Sequence, residues 1–337
     1  MSVLSLTGGL AMDLGTANTL IYERDRGIIL NEPSVVALET DTRRVLAVGH
    51  EAKSYLGRTP VNIEVIRPLK SGVISDFAVT QQMIKSFLEM AGASRRLFRP
   101  RIVVGVPSGS TQVEKRAIIE AAEQAGGKSI HLVDEPMAAA IGLGLPVAEP
   151  VARLVLDVGG GTSEGIVVSL GAAAVSESRR VAGDEATLAI TRYLKRKYKL
   201  AVGENTAEQV KMTLGSAMPL EEMVTFKCRG KNLNRGTPEV VELTNADIRE
   251  ALTDINDEFI NMVKRLITQT PAELSADLLK DGLHLTGGGS LLKGLDQRLA
   301  QETGLEVKVP EDPLISVALG LGEVLENMTY YKTVFAN

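Results

Sequence analysis

Short apolar runs, separated by turns rich in polar residues and glycine, alternate along this chain with longer stretches of helical periodicity. The apolar runs predict strands at residues 10–12, 20–22, 35–38 and 102–106 in the first half and at 154–156, 166–168 and 283–286 in the second. Apolar residues three and four positions apart predict helices at 79–91, 112–125, 185–198, 246–268 and 291–299. Strands that alternate with helices in both halves are typical of the α/β class.

Two glycine-rich turns occupy matching positions in the two halves. Residues 13–18 read DLGTAN and residues 157–162 read DVGGGT, and each turn lies between two predicted strands. Glycines at such turns let backbone N–H groups point into a concavity that holds phosphate oxygens, and Thr16 and Thr162 add hydroxyl donors. The pair therefore predicts a phosphate clamp with one half of the chain on each side.

Asp13 and Asp157 open these turns, and a carboxylate cannot bind phosphate directly. It can act beside phosphate when Mg²⁺ lies between them, since Mg²⁺ usually keeps several waters that a carboxylate can orient. Both aspartates are therefore candidate Mg²⁺ residues that act through water. A single turn of this kind would more often be an ordinary Asp-Gly hairpin, and the matched second copy is what favours a binding site.

A third glycine run, residues 287–290 with the sequence GGGS, lies between the predicted strand 283–286 and the predicted helix 291–299. A glycine turn that joins a strand to a helix start favours an anion or a polar ligand group. The run lacks the third glycine of the dinucleotide-binding fingerprint, because Leu292 occupies that place. We therefore assign it to the nucleoside end of the site.

The composition indicates a soluble intracellular protein and argues against several other classes. Of the 337 residues, 44% are hydrophobic and 23% are charged, and the net charge is −5. Without a basic block, nucleic acid is not expected as a partner. The single cysteine, Cys228, cannot form an intrachain disulfide, and no run of roughly 18 apolar residues predicts a transmembrane helix. We therefore expect a cytoplasmic protein.

Seven blocks of sequence together resemble the MreB family of bacterial actins. They are LAMDLGTANTLIY (10–22), NEPSVVAL (31–38), VGHEAK (48–53), IRPLKSGVISDF (66–77), DEPMAAAIG (134–142), LDVGGGTSEG (156–165) and LTGGGSLLKGL (285–295). The resemblance extends from about residue 10 to residue 325. A lone Asp-x-Gly turn would indicate only the wider superfamily of actins, Hsp70 chaperones and sugar kinases, whereas the order and wording of these blocks are specific to the family.

This resemblance implies a two-lobed actin-like ATPase fold of duplicated ribonuclease H-like domains, with ATP and Mg²⁺ in the cleft between the lobes. The first lobe would comprise residues 1–150 and about 320–337, with a small subdomain at about 33–75. The second lobe would comprise residues 151–319, with a small subdomain at about 185–250. Two domains are also the natural expectation for a chain of this length, and residues 146–150 fit a hinge between them.

The resemblance also assigns roles to single residues. Phosphate contacts would come from Gly15, Thr16, Ala17 and Asn18 in one lobe and from Gly159, Gly160, Gly161 and Thr162 in the other. Glu208 and Lys211 would contact the nucleoside, which Gly287, Gly288, Gly289 and Ser290 would also approach. Without the family resemblance, the spacing of Glu208 and Lys211 would indicate only a surface ion pair one helical turn apart.

Hydrolysis requires a group that orients water in line with the γ-phosphate, and Glu135 is the candidate that the resemblance supplies. Thr162 is a second candidate for positioning the water. The position of Glu135 at the start of a predicted helix allows another interpretation, a carboxylate favoured by the helix macrodipole with Pro136 at the first helical position. Asp134 is predicted to cap that helix, and Asp76 is predicted to cap the helix 79–91 rather than to join the site.

A loop at residues 95–101, RRLFRPR, places two large apolar side chains among four arginines. Such a loop can insert Leu97 and Phe98 into a membrane surface while the arginines meet anionic headgroups. The alternative is that both side chains pack into the core and that the arginines are solvated. The membrane attachment of MreB proteins favours the first interpretation.

Together these features predict an ATP-dependent filament protein that lies on the inner face of the cell membrane, organises cell-wall synthesis and maintains rod shape. Its slow, weak ATPase activity would regulate the filament. The expected partners are further copies of the chain, the inner membrane surface and membrane-bound cell-wall elongation proteins. The alternatives are an MreB paralogue with another positioning role and a small-molecule kinase of the same superfamily. An Hsp70-type chaperone would need a peptide-binding domain after the ATPase lobes.

Overall fold

The computed structural model describes residues 9–92 and 99–336. The strands of the first half are β1 (Leu10–Leu14), β2 (Asn18–Glu23), β3 (Gly27–Pro33), β4 (Val36–Glu39), β5 (Val45–Val48), β6 (Ile63–Ile66), β7 (Leu69–Lys70), β8 (Val73–Ile74), β9 (Arg101–Val106) and β10 (Ser129–Asp134). Those of the second half are β11 (Arg153–Val158), β12 (Ser163–Ser169), β13 (Ala172–Arg179), β14 (Leu200–Ala201), β15 (Thr225–Asn232), β16 (Pro238–Thr244), β17 (Leu283–Thr286) and β18 (Val307–Lys308).

The helices are α1 (Gly49–Ser54), α2 (Phe77–Met90), α3 (Gln112–Gln124), α4 (Glu135–Gly142), α5 (Gly183–Tyr198), α6 (Glu204–Leu214), α7 (Asn245–Ala251), α8 (Thr253–Gln269), α9 (Ala272–Asp281), α10 (Leu295–Thr303) and α11 (Ser316–Glu326). Short 3₁₀ helices lie at Gly288–Leu291 and Lys332–Val334. Within the described ranges, no helix is long and apolar enough to cross a membrane.

Two five-stranded sheets of the same design form the body of the protein. In the first sheet the strand order is β10-β9-β1-β2-β3, and in the second it is β13-β12-β11-β17-β18. Each sheet joins an antiparallel meander, β1-β2-β3 or β11-β12-β13, to two parallel strands, β9 and β10 or β17 and β18. This repetition confirms the predicted duplicated α/β fold with two lobes. We call the parts built on these two sheets the first lobe and the second lobe.

The helix pair α4 and α11 lies between the two sheets. Helix α11 contacts β1, β2 and β9 of the first sheet, whereas α4 also contacts β11 and β12 of the second. The helices approach so closely that a Cβ at Gly142 would overlap the Ser316 carbonyl oxygen, and one at Gly320 would overlap that of Ala138. Small residues at the crossing therefore allow the backbones to touch, and one apolar core extends from the first sheet through the helix pair to the second.

A three-stranded sheet in each lobe stands beside the cleft. Sheet β5-β4-β6 packs with α1 in the first lobe, and sheet β14-β15-β16 packs with α5, α6 and α7 in the second. The first of these sheets joins the main apolar core of the first lobe through Val36 and Leu38, and its other face has a small apolar cluster of its own. The second has a separate apolar core, which includes the buried, unpaired thiol of Cys228. These two layers flank the space between the large sheets.

Two helix predictions were wrong in detail. The stretch 246–268 forms two helices, because Leu252 leaves the helical region at φ −98° and ψ 3° and separates α7 from α8. The stretch 291–299 does not form one helix, because the left-handed backbone of Gly294, at φ 73°, delays the start of α10 until Leu295. In both cases the apolar periodicity continues across a local backbone break that the side-chain pattern does not reveal.

The segment after α11 closes the free edge of the first sheet. Phe335 forms a β-bridge with Val133 in β10, and the N–H of Ala336 donates to the Leu132 carbonyl oxygen over 2.8 Å. The Lys115 ammonium group donates to the Ala336 carbonyl oxygen over 2.9 Å. An edge strand that would otherwise offer unpaired backbone groups is thereby covered.

Candidate nucleotide site between the lobes

A cavity of about 670 Å³ opens between the two lobes. It is lined by all of the predicted site residues in the described ranges except Ser290, namely Asp13, Gly15, Thr16, Ala17, Asn18, Glu135, Asp157, Gly159, Gly160, Gly161, Thr162, Glu208, Lys211, Gly287, Gly288 and Gly289. A cavity of this size is typical of small-molecule and cofactor sites. Residues as far apart in sequence as Asp13 and Gly289 thus meet at one site, and the two glycine turns lie together as the paired-turn hypothesis requires.

The first glycine turn is held rigidly by hydrogen bonds. The Ser34 hydroxyl donates to the Gly15 carbonyl oxygen over 2.6 Å, and the hydroxyls of Ser34 and Thr19 lie 2.9 Å apart. The buried Thr16 hydroxyl accepts a 3.1 Å hydrogen bond from the N–H of Gly72. The turn is therefore fixed before a ligand binds, which lowers the entropic cost of binding.

The second glycine turn touches the first. A Cβ at Gly160 would lie 2.7 Å from the Cβ of Ala17, and a Cβ at Gly161 would lie 2.5 Å from the Thr16 hydroxyl oxygen. The N–H of Gly159 donates to the Thr162 carbonyl oxygen over 2.9 Å, which closes the turn on itself. Only glycine lets the two lobes come this close. Gly160 and Gly161 therefore allow the contact between the lobes as well as the backbone conformation of the turn.

The third glycine run packs against the strand that carries Asp157. Gly287 has φ 77°, and a Cβ there would overlap the Asp157 carboxyl group, while one at Gly289 would overlap the Val158 side chain. The buried Ser290 hydroxyl donates to the Gly287 carbonyl oxygen over 2.7 Å. Ser290 therefore stabilises the run without lining the cavity, and its predicted contact with the nucleoside stays a prediction.

Carboxyl groups are concentrated at the base of the cavity. Burial raises the pKa of Asp157 to about 7, and burial together with the nearby charge of Asp157 raises the pKa of Asp13 to about 7. Burial, followed by the charges of Glu164, Asp13 and Asp157, raises the pKa of Glu135 well above its ordinary value. Such mutual repulsion is relieved by a cation or by bound protons.

The donor chemistry fits Mg²⁺ held through water. Within residues 9–92 and 99–336, no group of three or more His, Cys, Asp or Glu side chains is arranged to hold a metal ion directly. Asp13 and Asp157 instead present one carboxyl group from each lobe beside the two glycine turns. One or two carboxylates together with phosphate oxygens form the kind of site at which Mg²⁺ usually keeps several of its waters.

Glu135 is the first residue of α4 and faces the cavity. Its side chain passes over Gly105 in the neighbouring strand β9, where a Cβ would lie 3.4 Å from the Glu135 Cγ. Asp134 occupies the N-cap position of α4 but makes no capping hydrogen bond, so its predicted role was wrong. Its buried Oδ1 has no hydrogen-bond partner in the described part of the chain, and burial raises its pKa. The predicted cap at Asp76 is confirmed, since its carboxylate accepts from the N–H of Val79 over 3.1 Å.

Glu208 and Lys211 share one face of α6 and line the cavity. The Lys211 ammonium group lies 2.8 Å from the Glu208 carboxylate and donates to the Gly183 carbonyl oxygen over 2.9 Å and to the Thr187 hydroxyl over 3.0 Å. Burial alone would raise the pKa of Glu208, but the Lys211 charge and the hydrogen bonds from Lys211 and Thr187 lower it. The pair is therefore more than a surface ion pair, because the Gly183 carbonyl group and the Thr187 hydroxyl fix its geometry beside the cavity.

Two groups that connect the lobes were missed at the sequence level. Glu164 is buried on β12 and accepts hydrogen bonds from the first-lobe loop after β9. Arg67, which follows β6, lines the cavity and lies 2.7 Å from Glu204 and 3.4 Å from Asp184 of the second lobe. No local sequence pattern predicts either contact between the lobes, because the partner in the other lobe is more than 50 residues away in sequence.

The predicted membrane-contact residues Leu97 and Phe98 lie outside the described residues. Their predicted role therefore stays a prediction.

Comparison with known proteins places these features in a family. The family model described as MreB/Mbl protein matches residues 7–333. The cell shape-determining protein MreB of Escherichia coli (strain K12) is 48% identical over 322 residues, which are 94% of this chain and 93% of that protein. The cell shape-determining protein Mbl of Bacillus subtilis (strain 168) is 44% identical over 319 residues, 95% of this chain and 96% of that protein.

Solved structures show the same fold. MreB5 of Spiroplasma citri bound to ADP has a TM-score of 0.91 at 29% identity, over 97% of this chain and 98% of that one. The same protein has also been solved bound to AMPPNP, with a TM-score of 0.91. A MamK double helical filament has a TM-score of 0.82 at 21% identity, over 95% of this chain and 99% of that one, and supports the actin-like fold alone.

Proposed function

The chain belongs to the MreB/Mbl family, and on this premise we propose that it is an ATP-dependent, filament-forming bacterial actin with weak ATPase activity. It works on the inner face of the cell membrane, where it organises cell-wall synthesis and maintains rod shape. The observation that carries the proposal is the meeting of two glycine turns, one from each lobe, beside Asp13, Asp157 and Glu135. Relatives named cell shape-determining proteins and the nucleotide-bound MreB5 structures support it.

Each group of residues at the cavity has a distinct task in this proposal. Residues 15–18 and 159–161 hold the phosphates, with backbone N–H groups as donors except at Gly159, whose N–H closes the turn. The Thr16 and Thr162 hydroxyls add donors. Asp13 and Asp157 hold Mg²⁺ through water, and the bound ion would neutralise charge on the phosphates. Glu208 and Lys211 orient the nucleoside. Because the two phosphate-binding turns belong to different lobes, the nucleotide state controls how the lobes close.

Glu135 orients the attacking water. Its carboxylate faces the cavity from the start of α4, and the Thr162 hydroxyl faces it from the other lobe. Burial, followed by the charges of Glu164, Asp13 and Asp157, raises the pKa of Glu135 and disfavours its ionisation, which weakens it as a proton acceptor until cations bind nearby. This supports hydrolysis that is slow and regulatory rather than rapid.

The proposed boundaries place residues 1–150 and about 320–337 in the first lobe, with a small subdomain at about 33–75. Residues 151–319 form the second lobe, with a small subdomain at about 185–250. The packing of α11 and of the following tail on the first sheet supports the return of the chain to the first lobe. The sheets β5-β4-β6 and β14-β15-β16 support the two small subdomains.

Hydrolysis is tested by replacing Glu135 with glutamine. Glu135→Gln is expected to bind Mg-ATP with wild-type affinity but to hydrolyse it about 100-fold more slowly, because the amide cannot accept a proton. Single-turnover hydrolysis and a fluorescent nucleotide titration separate the two effects. The matched control is Glu273→Gln, which removes an exposed carboxylate from α9. Wild-type hydrolysis by Glu135→Gln would contradict the assigned role.

Assembly and membrane contact are tested by sedimentation with electron microscopy, in Mg-ATP, Mg-ADP and no nucleotide, with and without anionic liposomes. Wild-type protein is expected to form filaments in Mg-ATP and to coat the liposomes. The double variant Leu97→Ser/Phe98→Ser is expected to keep its filaments and to lose the coating, since it removes the apolar side chains proposed to insert. A wild-type monomer in every condition would refute the filament, and sugar-stimulated ATP turnover would favour the kinase alternative.

A further inference from the structure

Glu164 joins the two lobes through three hydrogen bonds from Ser108, and a fourth, from Ser178, holds its carboxyl group within the second lobe. It lies on β12 of the second lobe and is 1% exposed. The N–H of Ser108, in the first-lobe loop after β9, donates to its two carboxyl oxygens over 3.1 and 3.2 Å. The Ser108 hydroxyl donates over 3.3 Å, and the hydroxyl of Ser178 on β13 donates over 2.6 Å. One carboxyl group thus holds a first-lobe loop against two second-lobe strands.

This placement is poorly explained by stability alone. In the described ranges no Lys, Arg or His side chain forms an ion pair with Glu164. Burial raises its pKa to about 8, although the hydrogen bonds from Ser178 and Ser108 oppose the rise, and the charges of Asp157 and Asp134 add to it. Burying a carboxyl group without a cation is costly, and an apolar residue would fit a buried strand at lower cost.

On the second-lobe side, Glu164 is tied to the phosphate turn. It follows Thr162 by two residues and lies opposite Asp157 in the register of β11 and β12. Both neighbours line the cavity. A change in the position of the Glu164 backbone would therefore move Thr162 and Asp157 with it.

On the first-lobe side, the loop that Glu164 holds is tied to Glu135. Strand β9 runs parallel to β10 with Val106 opposite Asp134, and Ser108 follows only two residues later. The Glu135 side chain passes over Gly105 of the same strand. The Ser108 loop is therefore continuous with the surface on which Glu135 rests.

We propose that Glu164 is a positioning residue for ATP hydrolysis, whose hydrogen bonds to Ser108 and Ser178 set the separation of Glu135 from Thr162 across the two lobes. The inference rests on the proposed ATPase function and adds a residue that does not itself touch the nucleotide. It acts on the rate of hydrolysis more than on nucleotide affinity, because the first glycine turn and the Glu208–Lys211 pair are held by other contacts. Of the binding groups, only those of the second glycine turn move with Glu164.

The test compares Glu164→Gln, Glu164→Ala and Ser178→Ala in the full chain. The glutamine keeps an oxygen that accepts from Ser108 and Ser178, so hydrolysis is expected to stay within about threefold of wild type. The alanine removes the hydrogen-bonded link from Glu164 to Ser108 and is expected to slow single-turnover hydrolysis by at least about tenfold, since small misplacements cost up to about 100-fold. Nucleotide affinity is expected to change less than about threefold in each variant.

Ser178→Ala removes the 2.6 Å hydrogen bond alone and is expected to have an intermediate rate, which keeps the test decisive if Glu164→Ala does not fold. The control is Glu177→Gln on β13, whose carboxylate pairs with Arg179 and Arg265 away from the cavity. Glu177→Gln is expected to lower stability without slowing hydrolysis, which would separate positioning from a general loss of stability.

Three results would overturn the inference: a folded Glu164→Ala variant at wild-type rate, a loss in affinity that matches the loss in rate, or equal damage by glutamine and alanine. Each would leave the proposed function standing if wild-type protein hydrolyses ATP. Absence of hydrolysis by wild-type protein would refute the proposed function and the role of Glu164 with it.

Discussion

Replacing Asp157 with asparagine is expected to stabilise the nucleotide-free protein at alkaline pH while it weakens Mg-ATP binding. Burial raises the pKa of Asp157 from its ordinary 3.8 to about 7. Between pH 3.8 and pH 7, the Asp157 carboxyl group is therefore protonated in the folded protein and ionised in the unfolded chain. A carboxyl group whose pKa is raised in the folded state contributes stability that is fully present below pH 3.8. This stability is lost as the pH rises to 7. Above pH 7 the folded protein therefore carries the cost of a buried charge.

The size of this cost follows from the pKa. A rise from 3.8 to about 7 corresponds to about 4 kcal/mol at pH 8. Burying the neutral amide of asparagine in place of the carboxylate still costs about 1 kcal/mol. The free energy of unfolding of Asp157→Asn at pH 8 is therefore expected to be about 3 kcal/mol above that of wild type. With an unfolding entropy of about 2.1 cal/mol/K per residue, the melting temperature of this chain rises by about 4 °C. The gain shrinks toward pH 5, where the folded-state carboxyl group is already neutral.

The assay is calorimetry of nucleotide-free protein in a metal chelator from pH 5 to pH 9, repeated with Mg-ATP. Wild-type Tm is expected to fall as the pH rises from 5 to 7 and to level off above 7, with a shallower fall in Asp157→Asn. Mg-ATP is expected to stabilise wild type more than the variant, because the amide orients the waters of Mg²⁺ less well. Asp41→Asn, in an exposed turn, is the control. A Tm difference at pH 8 that is zero, or equal at pH 5 and pH 8, would refute the reasoning.

Three further outcomes follow from other contacts. Gly161→Ala is expected to lower nucleotide affinity by at least about tenfold in a fluorescence titration, because the new Cβ would hold the two glycine turns apart. The control is Gly203→Ala, whose Cβ would meet no neighbour within 4 Å and which should bind nucleotide normally. Arg67→Glu should speed nucleotide release in stopped flow by about two- to fivefold, because it breaks the ion pair with Glu204. In the double variant, Glu204→Arg should restore the wild-type release rate. Additive effects of the two changes would show that the ion pair does not slow release. Phe335→Ala should lower the free energy of unfolding by about 2 kcal/mol, and an unchanged Tm would show that the tail does not stabilise the first sheet.

The part of the site that is local in sequence was predictable. The two turns combine glycine, aspartate and threonine between apolar strands, so their chemistry and their backbone geometry are encoded within six residues each. Symmetry between the halves then indicated that both turns face one ligand, and the structure brings them into contact at Gly161 and Thr16. Roles beyond this came from the family resemblance rather than from spacing.

The part that depends on packing between distant segments was not predictable. Glu164 looks like a polar residue in a strand, and its partner Ser108 lies 56 positions earlier with no motif around it. The break at Leu252 is a backbone feature inside a continuous apolar pattern. Sequence periodicity describes which face of an element is apolar, but it does not describe which distant loop meets that face.

The position of α11 between the two sheets affects how the chain folds during synthesis. The strands of the first sheet are complete by residue 134, yet the helix that covers them begins only at Ser316. A growing chain therefore holds an apolar sheet with part of its cover missing while about 180 further residues are made, which at typical rates takes roughly 10–40 s. Exposed apolar sheet surface during this interval is a substrate for chaperones and a site for aggregation. Because the first lobe cannot finish folding before the second has been synthesised, the two lobes mature together rather than in the order of their sequence.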